Sequence, residues 1–260
     1  YRFPHFALFS SELLRGYFRA HRIGVFAGSV QDGDRDSVAF ENAITAVEPP
    51  TAEELAARNT RRLLFYARPE PHAARNMFEL GMMALERALR DGVFRSGWEL
   101  NGIGTVQRGG RLALGGGAHL NLTARADQAS YARLLREHDV GLALMYTPHP
   151  SLVPLEMASA GLVTVTNSFE NKTPEAMSAI SENLIVAEPS VEGVARALAQ
   201  AAAAVADADG RARGSQVRWS RSWSESFPDP LLDLLLSKLR ASDAEPLLQL
   251  GIEAGNPRGG

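Results

Sequence analysis

The sequence predicts an α/β fold built on a Rossmann-like, doubly wound parallel sheet, and three observations carry that prediction. From Arg62 onward, short β-rich runs alternate with amphipathic segments. The run "VGLALMY" (140–146) is continuously apolar, as a strand covered on both faces must be. Turn residues punctuate the junctions, at Arg68-Pro69, Gly92, Gly102 to Gly104 and Pro148 to Pro150. Repeated strand–helix alternation packs most economically through right-handed crossovers.

Residues 1–58 read differently from the rest of the chain. "HFALFSSELLRGYFRAHRIGVFAG" suggests strand, helix, strand, followed by a loop with Asp32, Gly33, Asp34 and Asp36 and the proline-marked connector "VEPPTAEELAARN". The opening residues resemble an element already under way and the chain begins at Tyr1, so a longer parent protein is expected.

Residues 59–226 carry the alternation itself. "LLFYA" (63–67) has strand length and ends at Arg68-Pro69; "ARNMFELGMMALERALRDG" spaces Met77, Leu80, Met83, Ala84 and Leu89 for a helix that stops at Gly92. "GWELNGIG" (97–104) is a strand running into a glycine turn, and "LALGGGAHLNL" is the most flexible point of this half. "DQASYARLLREHD" is a helix that Asp127 can cap. After "VGLALMY" come the helix start "TPHPSLVPLEMASAG" (147–161), a strand "LVTVTN", a helical "PEAMSAISE", a strand "LIVAE" and one alanine-rich helix, "VEGVARALAQAAAAVADA". Residues 227–260 read as a helix and a loose tail, "GIEAGNPRGG".

Composition removes several function classes. With 260 residues at 45% hydrophobic content the chain can bury a sizeable core, and a formal charge of −3 gives no footprint for nucleic acid or an anionic membrane. No cysteine is present, which excludes disulfides, thiolate metal sites and cysteine nucleophiles. The six histidines show no ligand spacing, so no metal is inferred. Apolar runs are too short to span a membrane, and the tail helix lacks a basic face, so membrane contact is at most peripheral and the expected location is the cytoplasm. The glycine fingerprints of dehydrogenases and P-loop enzymes and the serine-hydrolase elbow are missing.

Three groups of polar residues come after strands, where ligands of open α/β sheets bind. Tyr66, Arg68, Arg75 and Asn76 end the first strand and open a helix; two guanidinium groups there suit a diphosphate, or are simply surface arginines with Arg68 in a salt bridge. Gly102 and Gly104 permit close backbone approach to a ligand, or make a plain turn. In the third group Ser151, Leu152 and Val153 form the first turn of a helix flanked by Pro150 and Pro154, offering amides to phosphate. Glu156, one turn deeper, either accepts two ribose hydroxyls or merely complements the helix dipole; His149 is a loop residue or a catalyst.

The blocks "LLFYARP", "RNMFELG", "DVGLALMYTPHPSLVPLEMASAG", "VTVTNSFENKT" and "ENLIVAEPS" resemble the C-terminal, donor-binding domain of GT-B glycosyltransferases, and within them the retaining fourth family's bacterial rhamnosyltransferase-type branch. The resemblance covers residues 60–225, and the first residues look like the end of the same proteins' acceptor-binding domain. It implies transfer, with retention, of a sugar from a nucleoside diphosphate donor, dTDP-rhamnose in this branch, to a surface-glycan acceptor without a cofactor. Of the wider family's two glutamates, which have seven residues between them, the ribose-binding one falls on Glu156, the sugar-side one on Pro148, and the helix-start glycine on Ser151. Either the sugar-side role passes to neighbours such as His149 or Tyr146, as the branch resemblance allows, or this copy transfers poorly; the family's lysine for the diphosphate is not evident beside Arg68 and Arg75. Two rivals stand beside this reading, a degenerate binding domain without catalysis and a GT-B-like sugar-nucleotide epimerase. With most of a second domain absent, the visible chain should bind donor and transfer little.

Overall fold

The computed structural model describes residues 5–244 apart from 46, 49, 96, 105–108 and 125, with side chains as far as residue 239; the predicted loose tail lies outside that range. In the N-terminal segment β1 (Ala7–Phe9) pairs in parallel with β2 (Ser37–Ala39), connected through α1 (Glu12–Ala20) and α2 (Val30–Arg35). Ser11 caps α1 by accepting from the Leu14 amide, and Ser29 caps α2 through the Asp32 amide. The strand expected around "RIGVF" is instead a 3-10 turn, Gly24–Phe26, and the expected acidic loop is α2. Phe26 is the reason: its ring is buried flat against Gly33 of α2, where an added Cβ would lie 2.2 Å from it, so this apolar run serves a helix contact rather than a sheet.

A connector passes through α3 (Ala52–Ala56), opened by a reciprocal capping box between Thr51 and Glu54. Beyond it come β3 (Arg61–Tyr66), α4 (Phe78–Arg90), β4 (Trp98–Ile103), β5 (Gly110–Ala113), β6 (His119–Thr123), α5 (Gln128–Arg136) and β7 (Val140–Leu142). The second half runs α6 (Leu152–Ser159), β8 (Val163–Asn167), α7 (Pro174–Ser178), β9 (Leu184–Ala187), α8 (Val191–Ala204), α9 (Ala208–Gly214), α10 (Trp223–Ser226) and α11 (Asp229–Ala244). The strands make one seven-stranded sheet in the order β5-β6-β4-β3-β7-β8-β9, parallel except for β5. The α/β prediction therefore holds.

Sheet residues alternate between two buried faces. Leu63, Phe65, Leu142 and Val165 pack on Ala84, Leu85 and Ala88 of α4 and on Val194, Leu198 and Ala201 of α8. Leu64 and Ile103 point the other way, onto Leu135 of α5 and Met157 of α6, with Val47 of the connector joining them. Burying each of these large side chains contributes about 1.5–3 kcal/mol. The "LALGGGAHLNL" stretch is a hairpin, with the glycines as a 3-10 turn between β5 and β6. The alanine-rich helix breaks after Ala204, because Asp207 accepts from the Gly210 amide and starts α9.

Candidate functional site

β3 is where the sheet order reverses, with β4 on one side and β7 on the other. Loops leaving such a pair diverge and open a crevice beyond the carboxyl ends of the strands. A cleft of about 420 Å³ lies there, lined by Tyr66, Arg75, Met145, Thr147, His149 and Ser151–Val153, with Ser10 and Asn42 from the N-terminal segment completing the wall. Hollows of about 460 and 500 Å³ beside β1 and α11 are lined largely by Phe6, Leu8, Leu14, Phe18, Leu235 and Leu239, without the convergence of polar groups that the cleft has.

The start of α6 is built around Ser151, which sits at φ 70°, ψ 145°. Outside glycine this conformation costs about 1–3 kcal/mol, so Ser151 stands at a position that glycine would occupy more easily. The Ser151 side chain caps nothing, and its amide donates to His149 Nδ1 at 2.9 Å. That removes Ser151 from the expected phosphate cradle. The first-turn amides of Leu152 and Val153 have no side-chain cap, and no intrahelical carbonyl reaches them. Replacing Ser151 with glycine should relieve the strain and raise unfolding free energy by about 1 kcal/mol in urea titration; an unchanged or lower value would contradict the account.

His149 has both ring nitrogens engaged. Nε2 donates to the Ser10 carbonyl at 3.0 Å, which leaves Nδ1 as the bare acceptor for the Ser151 amide at 2.9 Å. Burial holds its pKa below the ordinary imidazole value, so the ring is neutral and has no free lone pair. In this arrangement it ties the exit of β1 to the start of α6.

The arginines separate. Arg68 Nε pairs with Glu70 at 3.0 Å and Nη1 donates to the Tyr66 hydroxyl at 3.1 Å, the salt-bridged alternative, and it is not among the cleft residues. Arg75 lines the cleft, is exposed, and has no ion pair among the described residues. It lies in a 3-10 turn, Pro71–Asn76, ahead of α4, where the Asn76 side chain donates from Nδ2 to the Ala73 carbonyl at 3.0 Å and Met77 turns to φ 50°. Asn76 is therefore buried in its own turn and withdrawn from the cleft.

Gly102 and Gly104 are also withdrawn. A Cβ on Gly102 would lie 2.8 Å from the Leu122 side chain of β6, and one on Gly104 only 2.1 Å from the Ala67 carbonyl oxygen, so Gly102 makes room for β6 side chains and Gly104 lets the chain leaving β4 pass close to that leaving β3. Tyr146 is 67% exposed at the rim, its ring edge-on to Phe169 at 4.6 Å. Pro148 is buried.

Glu156 is 8% exposed and both oxygens are engaged by distant parts of the chain. Oε1 accepts from the Thr45 amide in the connector at 2.9 Å, and Oε2 from the Tyr131 hydroxyl of α5 at 3.0 Å. A carboxylate has about four lone-pair positions, so two remain. Burial and the adjacent carboxylate push the Tyr131 phenol well above its ordinary pKa, which keeps it a donor.

Sequence reasoning missed two residues beside the cleft. Asn167, at the end of β8, grips Met145 from both sides: Oδ1 accepts its amide at 2.7 Å and Nδ2 donates to its carbonyl at 3.2 Å. Lys172, fully buried, donates to the same carbonyl at 3.1 Å. Their signal was the polar end of "LVTVTNSFENKT", directly after a strand. Among the described residues no three histidine, aspartate or glutamate side chains cluster as a metal site, and no helix is long and apolar enough to cross a membrane.

Known proteins share both sequence and fold with this chain. A family model described as "WsaF, C-terminal domain" matches residues 61–199. Over 184 residues, 68% of this chain, the sequence is 37% identical to the O-antigen biosynthesis protein RfbC of Myxococcus xanthus, and covers 13% of that protein. Sucrose-phosphate synthase from Thermosynechococcus elongatus superposes with a TM-score of 0.58 at 15% identity, over 90% of this chain and 58% of that one. A UDP-forming trehalose-phosphate synthase from Burkholderia vietnamiensis gives 0.58 at 16% identity, over 92% and 60%. The likeness to these two structures is one of fold.

Proposed function

This chain belongs to the WsaF C-terminal domain family, and from that premise we propose that it is the donor-binding part of a glycosyltransferase of surface-polysaccharide assembly. The donor is a nucleoside diphosphate sugar, the acceptor a glycan, and the place of work the cytoplasm. The observation that carries the reading is the cleft beyond β3 and β7, where the Arg75 guanidinium, without an ion pair among the described residues, shares one space with the first-turn amides of Leu152 and Val153, which have no side-chain cap. A guanidinium and a helix N-terminus together fit a diphosphate, and they stabilise it most when it departs with its full charge. Glu156 is assigned to the ribose, at the acceptor positions that Thr45 and Tyr131 leave open. The role stated in the name of the Myxococcus xanthus relative supports a polysaccharide product. dTDP-rhamnose as donor and retention of configuration complete the proposal, both drawn from the resemblance to the rhamnosyltransferase branch.

Calorimetric titration with dTDP, UDP and GDP tests it. dTDP should bind most tightly, and Arg75→Ala should weaken it about tenfold, or about 1.4 kcal/mol. Absence of binding by all three nucleotides, or an unaltered affinity in the variant, would refute the donor site.

A second reading, binding without transfer, draws on Pro148 standing where the resembled glycosyltransferases outside the rhamnosyltransferase-type branch keep an acid and on the engagement of both His149 nitrogens. Sugar transfer from dTDP-rhamnose by the full-length parent protein would eliminate it.

A further inference from the structure

Lys172 is the buried charge that the fold does not explain. It is 0% exposed, and among the described residues its ammonium has a single hydrogen-bond partner, the neutral Met145 carbonyl at 3.1 Å. That carbonyl already accepts from Asn167 Nδ2, so it would be satisfied without the lysine. The acid nearest in sequence, Glu170, is turned away, its Oε2 lying 2.5 Å from His21 Nε2 of α1. No carboxylate among the described residues forms an ion pair with Lys172. A buried charge without a counter-ion is expensive, and an apolar side chain of similar volume in its place is often neutral or stabilising. Burial draws the ammonium's pKa down to about 8, so at neutral pH it remains charged at a continuing cost to the fold.

Its location suggests where that charge acts. The loop carrying Lys172 leaves β8 on the same carboxyl edge of the sheet as the cleft, and Met145, to which it bonds, lines the cleft. The charge is also felt at His149, another lining residue, where it helps to hold the imidazole neutral. In a low-dielectric setting a charge acts over a longer reach than it does in water. We propose that Lys172 is a positioning residue for the diphosphate of the donor, supplying from beneath the Met145 loop the positive field that Arg75 and the first-turn amides of α6 supply at the cleft surface. The inference rests on the donor-site reading above and adds to it a third cationic element, contributed by the β8–α7 loop.

Lys172→Met and Lys172→Gln remove the charge while keeping most of the volume. The probes are dTDP, UDP and GDP, each beside its parent nucleoside, with thermal unfolding measured in parallel. For whichever nucleotide binds the unaltered chain, both variants should bind the diphosphate about tenfold more weakly and the nucleoside equally well, and Lys172→Met should unfold at the same or a higher temperature. Equal loss for diphosphate and nucleoside, unaltered diphosphate affinity, or failure of both variants to fold would each show a structural lysine and overturn the proposal. Absence of nucleotide binding by the unaltered chain would instead overturn the donor-site reading on which it rests.

Discussion

Asp139→Ala will cost the fold about 3–5 kcal/mol, the range expected when one partner of a buried ionic cluster is removed. Asp139 opens β7 and is 0% exposed. Its Oδ1 lies 3.0 Å from Arg211 Nη2 and 3.1 Å from Arg58 Nη1, and its Oδ2 accepts from the Arg62 amide at 3.0 Å. One carboxylate thereby joins the connector, the start of β3 and α9. Arg211 is itself only 2% exposed, with Nε donating to the Gly161 carbonyl at 2.9 Å and Nη1 to the Val205 carbonyl at 3.2 Å. Burial lowers its pKa while Asp139 opposes the shift, so removing the acid leaves a guanidinium with two carbonyls and no counter-charge.

Urea unfolding of the variant measures the loss. A drop below about 1 kcal/mol, the scale of exposed ion pairs, would show that water reaches the cluster. The double variant Asp139→Ala with Arg211→Met should recover part of the loss, because it removes the stranded charge as well as the acid. The cluster lies at the amino ends of β3 and β7, opposite the cleft, so nucleotide affinity of the folded fraction should not change.

The contrast between this cluster and the cleft explains what was legible in the sequence. Features set by neighbouring residues could be read: Asp127 does cap α5, accepting from the Ser130 amide at 2.8 Å, and the apolar run from Val140 does supply β7 between β3 and β8, although the strand ends at Leu142 rather than running on to Tyr146. Arg68 was readable only as two alternatives, because Glu70, two residues on, competes with any ligand for it. What could not be read depends on partners far along the chain. Ser10 lies 139 residues from His149 and Thr45 lies 111 residues from Glu156, and these contacts decide whether each side chain is available. Burial of Lys172 is another such property, since charge in a polar loop reads as solvated until the tertiary fold encloses it.

Glu156 joins the two kinds of feature, because it is at once a structural acceptor and the proposed ribose ligand. Glu156→Ala should weaken dTDP binding about 10–100-fold, the effect of losing charge-assisted hydrogen bonds worth about 1.5–3 kcal/mol. The fold should loosen too, since the Thr45 amide and the Tyr131 hydroxyl lose their acceptors. Glutamine is no gentler: its amide NH2 would meet one of two donors, so shape is kept while one hydrogen bond turns repulsive. Loss of affinity alone therefore does not separate the two roles. Inorganic pyrophosphate does, because it needs Arg75 and the α6 amides but has no ribose. If Glu156 holds the ribose, both variants lose dTDP affinity and keep that for pyrophosphate; if it only anchors the connector, the two affinities fall together. Tyr131→Phe supplies the converse, removing a donor from Oε2 while leaving the charge in place. Its dTDP affinity should be no lower than that of the unaltered chain, since the carboxylate gains an acceptor position for a ribose hydroxyl, whereas a fall would mean that the phenol, rather than the ribose, is what Glu156 is there to hold.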